Sequence, residues 1–148
     1  MKAVIQRCKS GSVYVNDKII NEINQGFVVL LGIATDDTEE DMNYLIRKIL
    51  NLRVFDDENK IMNKSIVDIK GEILSISQFT LQASTKDGNR PSYINAMKGE
   101  EAKALYDKFN DRLNEKIKTY PGIFGAEMLI NIINDGPVTI IIDSKKKA

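Results

Sequence analysis

The sequence contains no histidine, one cysteine and three prolines in 148 residues. Each scarcity removes a class of chemistry. Without histidine there is no Ser-His-Asp triad and no Cys-His pair. Histidine-based zinc sites go with them, and one cysteine cannot build a thiolate cluster. Cys8 alone forms no intrachain disulfide, which fits a reducing compartment. No apolar run reaches the roughly 18 residues of a membrane span, and the stretch from Met1 to Cys8 has no signal-peptide core. An excess of one charge is missing as well. The 21 Lys and Arg balance the 21 Asp and Glu, so the basic signature of a nucleic-acid-binding domain is absent. Any catalysis must come from backbone donors, hydroxyls, carboxylates or the substrate itself, with no metal and no other cofactor.

What is present describes a globular chain. Its apolar share is 43% and its charged share 28%, ordinary values for a packed protein. Residues 1–148 show no repeat and no linker, so a single domain is expected. Ser12-Val13-Tyr14-Val15, Asn16-Asp17 and Lys18-Ile19-Ile20 read as a hairpin. Phe27 to Ile33 is continuously apolar and predicts a strand buried on both faces. Met42, Leu45, Ile46 and Ile49 fall at helical spacing behind Thr38, a candidate N-cap followed by Glu39, Glu40 and Asp41. Arg53-Val54-Phe55 reads as a short strand. A second helix is expected from about Gly99 to Lys118, with Ala102, Leu105, Tyr106, Phe109, Leu113 and Ile117 on one face, stopped by Tyr120-Pro121-Gly122. Two strands close the chain, near Glu127 to Ile133 and Val138 to Ile142, and the tail Asp143 to Lys147 reads as a frayed, solubilising end. Strands and helices do not alternate, which favours an α+β fold: a mainly antiparallel, barrel-like sheet with two amphipathic helices packed outside. Its edges need covering, and a homodimer would do that.

Three stretches carry candidate chemistry. In Glu72 to Leu81 the side chains of Leu74 and Ile76 share one parity, while Phe79 and Leu81, also expected to be buried, have the other. The register slips at Ser77-Gln78, so the strand either bulges or ends there. A bulge would free backbone N–H groups around Gln78, Phe79 and Thr80, and such donors can hold an oxyanion. Asn134-Asp135-Gly136-Pro137 is either a plain turn or, with a cis Gly-Pro bond, a rigid pair of carbonyls able to grip an ammonium. The loop Lys86 to Tyr93 offers Lys86 and Arg90 to phosphate and Tyr93 to a base, or is simply solvated. Arg7, inside an apolar strand, must find a partner or reach solvent, and bracing a neighbouring carbonyl would satisfy it.

Ser77-Gln78-Phe79-Thr80-Leu81 and Asn134-Asp135-Gly136-Pro137-Val138-Thr139 together resemble the two signature motifs of the D-aminoacyl-tRNA deacylases. The likeness extends over essentially the whole chain, through Gln6-Arg7, Gly88-Asn89-Arg90-Pro91-Ser92, the stretch from Gly99 to Phe109, and Phe124-Gly125-Ala126-Glu127-Met128. Either motif alone is weak; both in this order, at this separation and in a chain of this length are specific. The resemblance implies a cytoplasmic homodimer with each active site at the subunit interface, which hydrolyses the ester of D-aminoacyl-tRNA. It implies that Ser77, Gln78, Phe79 and Thr80 form the catalytic pocket, mainly through their backbone. Gly136 and Pro137 would be a cis selector reaching into the partner's pocket, its carbonyls holding the α-ammonium and leaving no room for an L side chain. Arg7 would fix the selector's orientation. Glycine has no side chain to reject, so glycyl-tRNA, including glycine mischarged on tRNA-Ala, would also be cut. Lys86, Arg90 and Tyr93 would meet the acceptor end of the tRNA. Thr80 is the family's candidate nucleophile, yet an unassisted threonine is a poor one. The terminal 2′-hydroxyl of the tRNA, placing or activating water, is the better account. One departure is Pro121, where the family pattern carries Thr. The rival readings are a non-catalytic module that binds the tRNA acceptor end without releasing amino acid, and an interaction protein whose sheet edges dimerise.

The balanced charge has a measurable consequence. Few phosphates would be neutralised, so tRNA binding should show a shallow dependence of log K on log salt. A slope like that of a protein gripping about ten phosphates would contradict this small footprint.

Overall fold

Local chemistry sets the first turn of the chain. Asn16 and Asp17 have φ of 51° and 64°, the left-handed pair that a two-residue hairpin needs and that these residues tolerate best after glycine. The computed structural model describes residues 1–147. The hairpin joins β1 (Lys2–Val15) to β2 (Lys18–Ile23), and β3 (Gly26–Gly32), α1 (Glu39–Asn51), β4 (Phe55–Asp56), β5 (Met62–Lys64) and β6 (Glu72–Ser77) follow. A 3₁₀ turn (Phe79–Gln82) leads through a long loop to α2 (Gly99–Asn114), β7 (Lys118–Pro121) and β8 (Leu129–Asp143).

The sheet runs β2-β1-β3-β6-β7, with β8 along the other side of β1. The β1 ladders to β2, β3 and β8 are antiparallel, as expected. The β3–β6 and β6–β7 ladders are parallel, so the sheet is mixed. Asn21 Nδ2 donates to Pro121 O at 2.7 Å and ties β2 to β7, which nearly closes the barrel. Alternation then splits the core. Phe27, Val29 and Leu31 of β3 pack with Met42, Leu45 and Ile49 of α1 and with Tyr106, Phe109 and Leu113 of α2. Val28 points the other way, into the barrel with Cys8, Val13, Leu74 and Ile76. Each large apolar side chain buried here contributes about 1.5–3 kcal/mol.

Four expectations are corrected. α2 ends at Asn114, before Lys118; Asn114 Oδ1 accepts the Thr119 N–H at 3.0 Å, and residues 118–121 become a strand. The two closing strands are one strand, β8, which pairs with β1 on both sides of residues 135–138. The strand expected at Arg53 to Phe55 begins only at Phe55, because the Val54 carbonyl accepts from Arg7 Nη1 at 2.6 Å. The tail is docked: Ser144 is buried, and Lys147 Nζ lies 4.6 Å from the centre of the Tyr44 ring.

That docking is electrostatic. Ser144 Oγ donates to Asp41 Oδ1 at 2.7 Å and Lys145 Nζ lies 3.1 Å from both Asp41 oxygens. At the start of α1 the Thr38 N–H donates to Asp41 Oδ2 at 2.9 Å. The Met1 ammonium donates to Asp37 Oδ1 at 2.7 Å and to Ser144 Oγ at 2.8 Å. Partial burial pushes the Asp41 carboxyl up, but the Thr38 N–H, the Ser144 hydroxyl and the Lys145 ammonium outweigh it and hold the group well below the usual carboxylate range. A depressed carboxylate stabilises the fold above its unfolded pKa of about 3.9, and that stabilisation is lost as pH falls toward the native value. Urea unfolding across a pH series should therefore show a steep loss of wild-type stability below about pH 4. Asp41→Asn should be less stable at neutral pH and flatter on the acid side; equal acid limbs would show that Asp41 does not matter.

Candidate active site

β6 ends because its last rung is made by the residue after it: the Gln78 N–H donates to Leu31 O at 2.7 Å. The chain then winds into the 3₁₀ turn, with Leu81 N–H on Gln78 O at 3.2 Å and Ala83 N–H on Thr80 O at 3.1 Å. The first amides of a helical turn have no intrahelical acceptor. The N–H groups of Phe79 and Thr80 accordingly have no partner among the described residues. Two donors are free at this bend, where three were expected; the slip at Ser77-Gln78 is the end of the strand. Phe79 is 49% exposed, against the expectation that it is buried, since period-two parity stops at Ser77.

Ser77, Gln78 and Phe79 form one wall of a cavity of about 410 Å³, and Phe124, Ala126 and Met128 line another. Ile76, Met97 and Ala102 add to its apolar lining, and Lys98 is its one charged lining residue. The N-terminus of α2 begins beside Lys98, so both give this part of the cavity positive potential. Sequence reasoning did not single out Lys98, and its place just before the helix was the available signal.

Thr80 lines no part of this cavity. Its Oγ1 accepts from Gln78 Nε2 at 2.5 Å, and among the described residues no carboxylate or amine hydrogen-bonds to it. An oxygen occupied as an acceptor, with no base to take its proton, is not an activated nucleophile. Cys8 is no substitute: burial pushes its thiol up to about 11, so it stays protonated at neutral pH.

Gly136 and Pro137 stand elsewhere. Gln6 pairs with Thr139 and Cys8 with Asn134, so residues 135–138 bulge out opposite Arg7 alone. The Gly136–Pro137 peptide bond is cis. Gly136 has φ +121°, and a Cβ there would lie 2.9 Å from Val138 Cγ2 and 3.0 Å from Arg7 Nη2. Arg7 holds the bulge from behind: Nε donates to Asp135 O at 3.2 Å and lies 3.5 Å from Asp135 Oδ2, while Nη1 reaches Val54 O. Asn134 clamps its base, Nδ2 donating to Arg7 O at 2.9 Å and to Val138 O at 3.2 Å. Asn134 as a clamp and Val54 as an anchor were not foreseen. Gly136 and Pro137 are exposed and line no part of this chain's own cavity.

The loop residues separate. Tyr93 meets Phe79 edge to face, ring centres 5.0 Å apart, so it stands beside the bend. Lys86 and Arg90 are exposed at the far end of a loop closed by reciprocal Ser84 and Ser92 hydrogen bonds of 2.9 and 2.8 Å. They make no ion pair among the described residues.

A family model described as D-Tyr-tRNA(Tyr) deacylase matches residues 4–143. A relative from Clostridium novyi (strain NT) named D-aminoacyl-tRNA deacylase is 55% identical over 148 residues, 99% of both chains. One of the same name from Flavobacterium psychrophilum (strain ATCC 49511 / DSM 21280 / CIP 103535 / JIP02/86) is 54% identical over 149 residues, again 99% of both. Among solved structures, one titled c-Myc DNA Unwinding Element Binding Protein superposes with TM-score 0.92 at 45% identity, covering 97% of this chain and 98% of its own. Another, described as a probable eukaryotic D-amino acid tRNA deacylase, gives TM-score 0.82 at 20% identity over 96% and 98% of the two chains; it shares the fold.

The bracing by Arg7 can be weighed. Hydrogen bonds from a charged donor contribute about 1.5–3 kcal/mol each, and Lys cannot reproduce the two-directional fork. Arg7→Lys should lower unfolding free energy by roughly 1.5–3 kcal/mol in urea titration. A variant as stable as wild type would mean that the bulge holds itself.

Proposed function

The chain belongs to the D-Tyr-tRNA(Tyr) deacylase family and is a hydrolase of the ester bond in D-aminoacyl-tRNA; from that premise we propose that the cavity beside Phe79 receives the esterified 3′ end of the tRNA. The observation that carries this reading is the backbone N–H of Phe79, which has no partner among the described residues and belongs to a residue lining a largely apolar cavity, with the equally free N–H of Thr80 next to it on the bend. Water attacks the ester carbonyl, the Phe79 N–H, with that of Thr80 next along the bend, takes the charge of the tetrahedral oxyanion, and its collapse releases the amino acid and leaves the hydroxyl on the tRNA. Preorganised donors of this kind contribute about 10²–10³ each in rate. The base that the protein lacks is replaced by the 2′-hydroxyl of the terminal ribose, which places or activates the water. Ser77 and Gln78 shape the wall, and Gln78 holds the Thr80 hydroxyl.

Chirality is judged by main-chain oxygens. Gly136 and Pro137 project from the bulge of β8 and do not line this chain's cavity, so the pocket they complete belongs to a second copy. The outer edge of β8 supports that pairing. It spans 15 residues, pairs among the described residues only with β1, and leaves Leu129, Ile133 and Ile141 at 70%, 57% and 70% exposure. A long apolar edge of this kind calls for a cover. In the homodimer the carbonyls of Gly136 and Pro137 hold the substrate ammonium and leave the L side chain no space. Glycyl-tRNA, including glycine mischarged on tRNA-Ala, passes because it has no side chain. Lys86 and Arg90 face the acceptor-arm phosphates and Tyr93 supports Phe79 against a base. Among the described residues no helix is long and apolar enough to cross a membrane, and the lone, buried Cys8 suits the cytoplasm.

Pure protein should deacylate D-tyrosyl-tRNA and glycyl-tRNA and spare L-tyrosyl-tRNA. Binding without release of amino acid would support the non-catalytic reading instead. In the same assay Thr80→Ala should keep activity within about tenfold, because the backbone donors remain; a loss beyond about 10³, more than one oxyanion donor is worth, would make the hydroxyl the nucleophile.

A further inference from the structure

A polar node lies beside the cavity in the otherwise apolar contact between α2 and the sheet. Tyr106 is 2% exposed, and its hydroxyl donates to Ser75 O at 2.7 Å. The same carbonyl accepts the Gly122 N–H at 3.1 Å. Ser75 Oγ and Asn110 Oδ1 are buried without a hydrogen-bond partner among the described residues, and Asn110 follows Tyr106 by one helical turn on the same face. Desolvation pushes the phenol above its ordinary value, against the pull of Asn110, Ser75 and Gly122, so it is a protonated donor at neutral pH.

Packing alone does not require the hydroxyl. The Tyr106 ring lies 5.9 Å from that of Phe124 within the core, and phenylalanine would fill the same space without a polar atom to satisfy. The position of the hydroxyl is what distinguishes it. The ladder between β6 and β7 ends at Ser75 and Pro121. Beyond that rung the chains part: two residues on from Ser75 is Ser77, on one wall of the cavity, and two on from Gly122 is Phe124, on the other. Ala102, one turn before Tyr106, also lines the cavity. The hydroxyl and the Gly122 N–H meet on one carbonyl at the apex of this fork.

We propose that Tyr106 is a positioning residue for the ester hydrolysis, its hydroxyl fixing the separation of the Ser77–Phe79 wall from the Phe124–Met128 wall. The inference rests on reading this cavity as the ester site. With the hydroxyl in place, the Phe79 and Thr80 donors stay at one distance from an ester held against the opposite wall; without it the walls relax. Misplacement by about 1 Å costs up to about a hundredfold in rate, while tRNA contacts away from the cavity are untouched.

Steady-state kinetics on D-tyrosyl-tRNA separates the outcomes. Tyr106→Phe keeps the ring, and its kcat should fall about tenfold with KM changed less than about twofold, a partial misplacement on that scale. The assay is run well below the thermal midpoint and normalised to folded protein. Leu113→Val, which loosens α2 away from the node, should lower the midpoint and leave kcat alone. Gly122→Ala reads the same spacing from the other wall, because its Cβ would press Met128 Sδ at 2.7 Å and Ile76 Cδ1 at 3.1 Å. It should show the same kcat-only loss and decides the matter if Tyr106→Phe does not fold. Normal kcat in the folded variant, or a loss shared equally by Leu113→Val, overturns the positioning role while wild-type turnover stands. Absence of turnover in the wild type would instead overturn the reading of the cavity.

Discussion

The Gly136-Pro137 crest depends on one mismatch between two strands. β1 contributes a single residue, Arg7, where β8 contributes four. Strand pairing on either side holds the ends of the excursion, yet a four-residue bulge has no ladder of its own. Its shape comes from the guanidinium, which bonds Asp135 O in one direction and Val54 O in another, and from the Asn134 amide, which bonds across the base. A glycine is required at the crest because φ is +121° and a Cβ would press against Val138 Cγ2 at 2.9 Å and Arg7 Nη2 at 3.0 Å. Arginine partly buried in an apolar strand is costly unless its donors are used, and here they serve as the frame of the bulge.

The missing histidine becomes intelligible against this frame. Deacylation of an activated ester needs less from a protein than amide hydrolysis does, and the structure offers main-chain groups where other hydrolases use side chains. Free amides at Phe79 and Thr80 are a by-product of ending a strand and starting a 3₁₀ turn. In the proposed reading the carbonyls of Gly136 and Pro137 are the counterpart on the opposite side. Main-chain atoms cannot choose a rotamer, so their accuracy is that of the fold around them. In that reading, hydrogen bonds at Arg7, Asn134 and Gln78 would do the work that tuned pKa values do in a histidine site.

Much of this was legible in the sequence where the signal is local. The Asn16-Asp17 hairpin, the doubly buried β3 and the helix behind Thr38 follow from turn chemistry, an unbroken apolar run and 3.6-residue spacing. Non-local facts were not legible. The parallel placement of β6 and β7 depends on which strands meet after long connections. Asn134-Asp135-Gly136-Pro137 has the composition of a turn, and nothing in it tells a turn between two strands from a bulge within one; the difference lies in the pairing with β1. Phe79 was placed inside by parity that ends two residues earlier. The tail was read as frayed because three lysines mask Ser144, whose partners Met1 and Asp41 are far away in sequence. Both signature motifs were found, but their separation in the folded chain was not predictable from either.

That separation bears on the assembly. One chain carries a cavity with free donors and, elsewhere on its surface, an exposed and rigid Gly-Pro crest that serves no purpose in its own core. Rigidity away from a core has to be maintained by specific bonds, and Arg7 and Asn134 supply them where residues 135–138 leave the ladder with β1. A fold that gives up ladder bonds in this way, on its longest exposed edge, is shaped for an object outside itself. A second copy satisfies the constraint with the fewest assumptions. In the proposed homodimer, a twofold arrangement covering Leu129, Ile133 and Ile141 would also give every cavity one crest, so closing the edge and completing the site would be the same event.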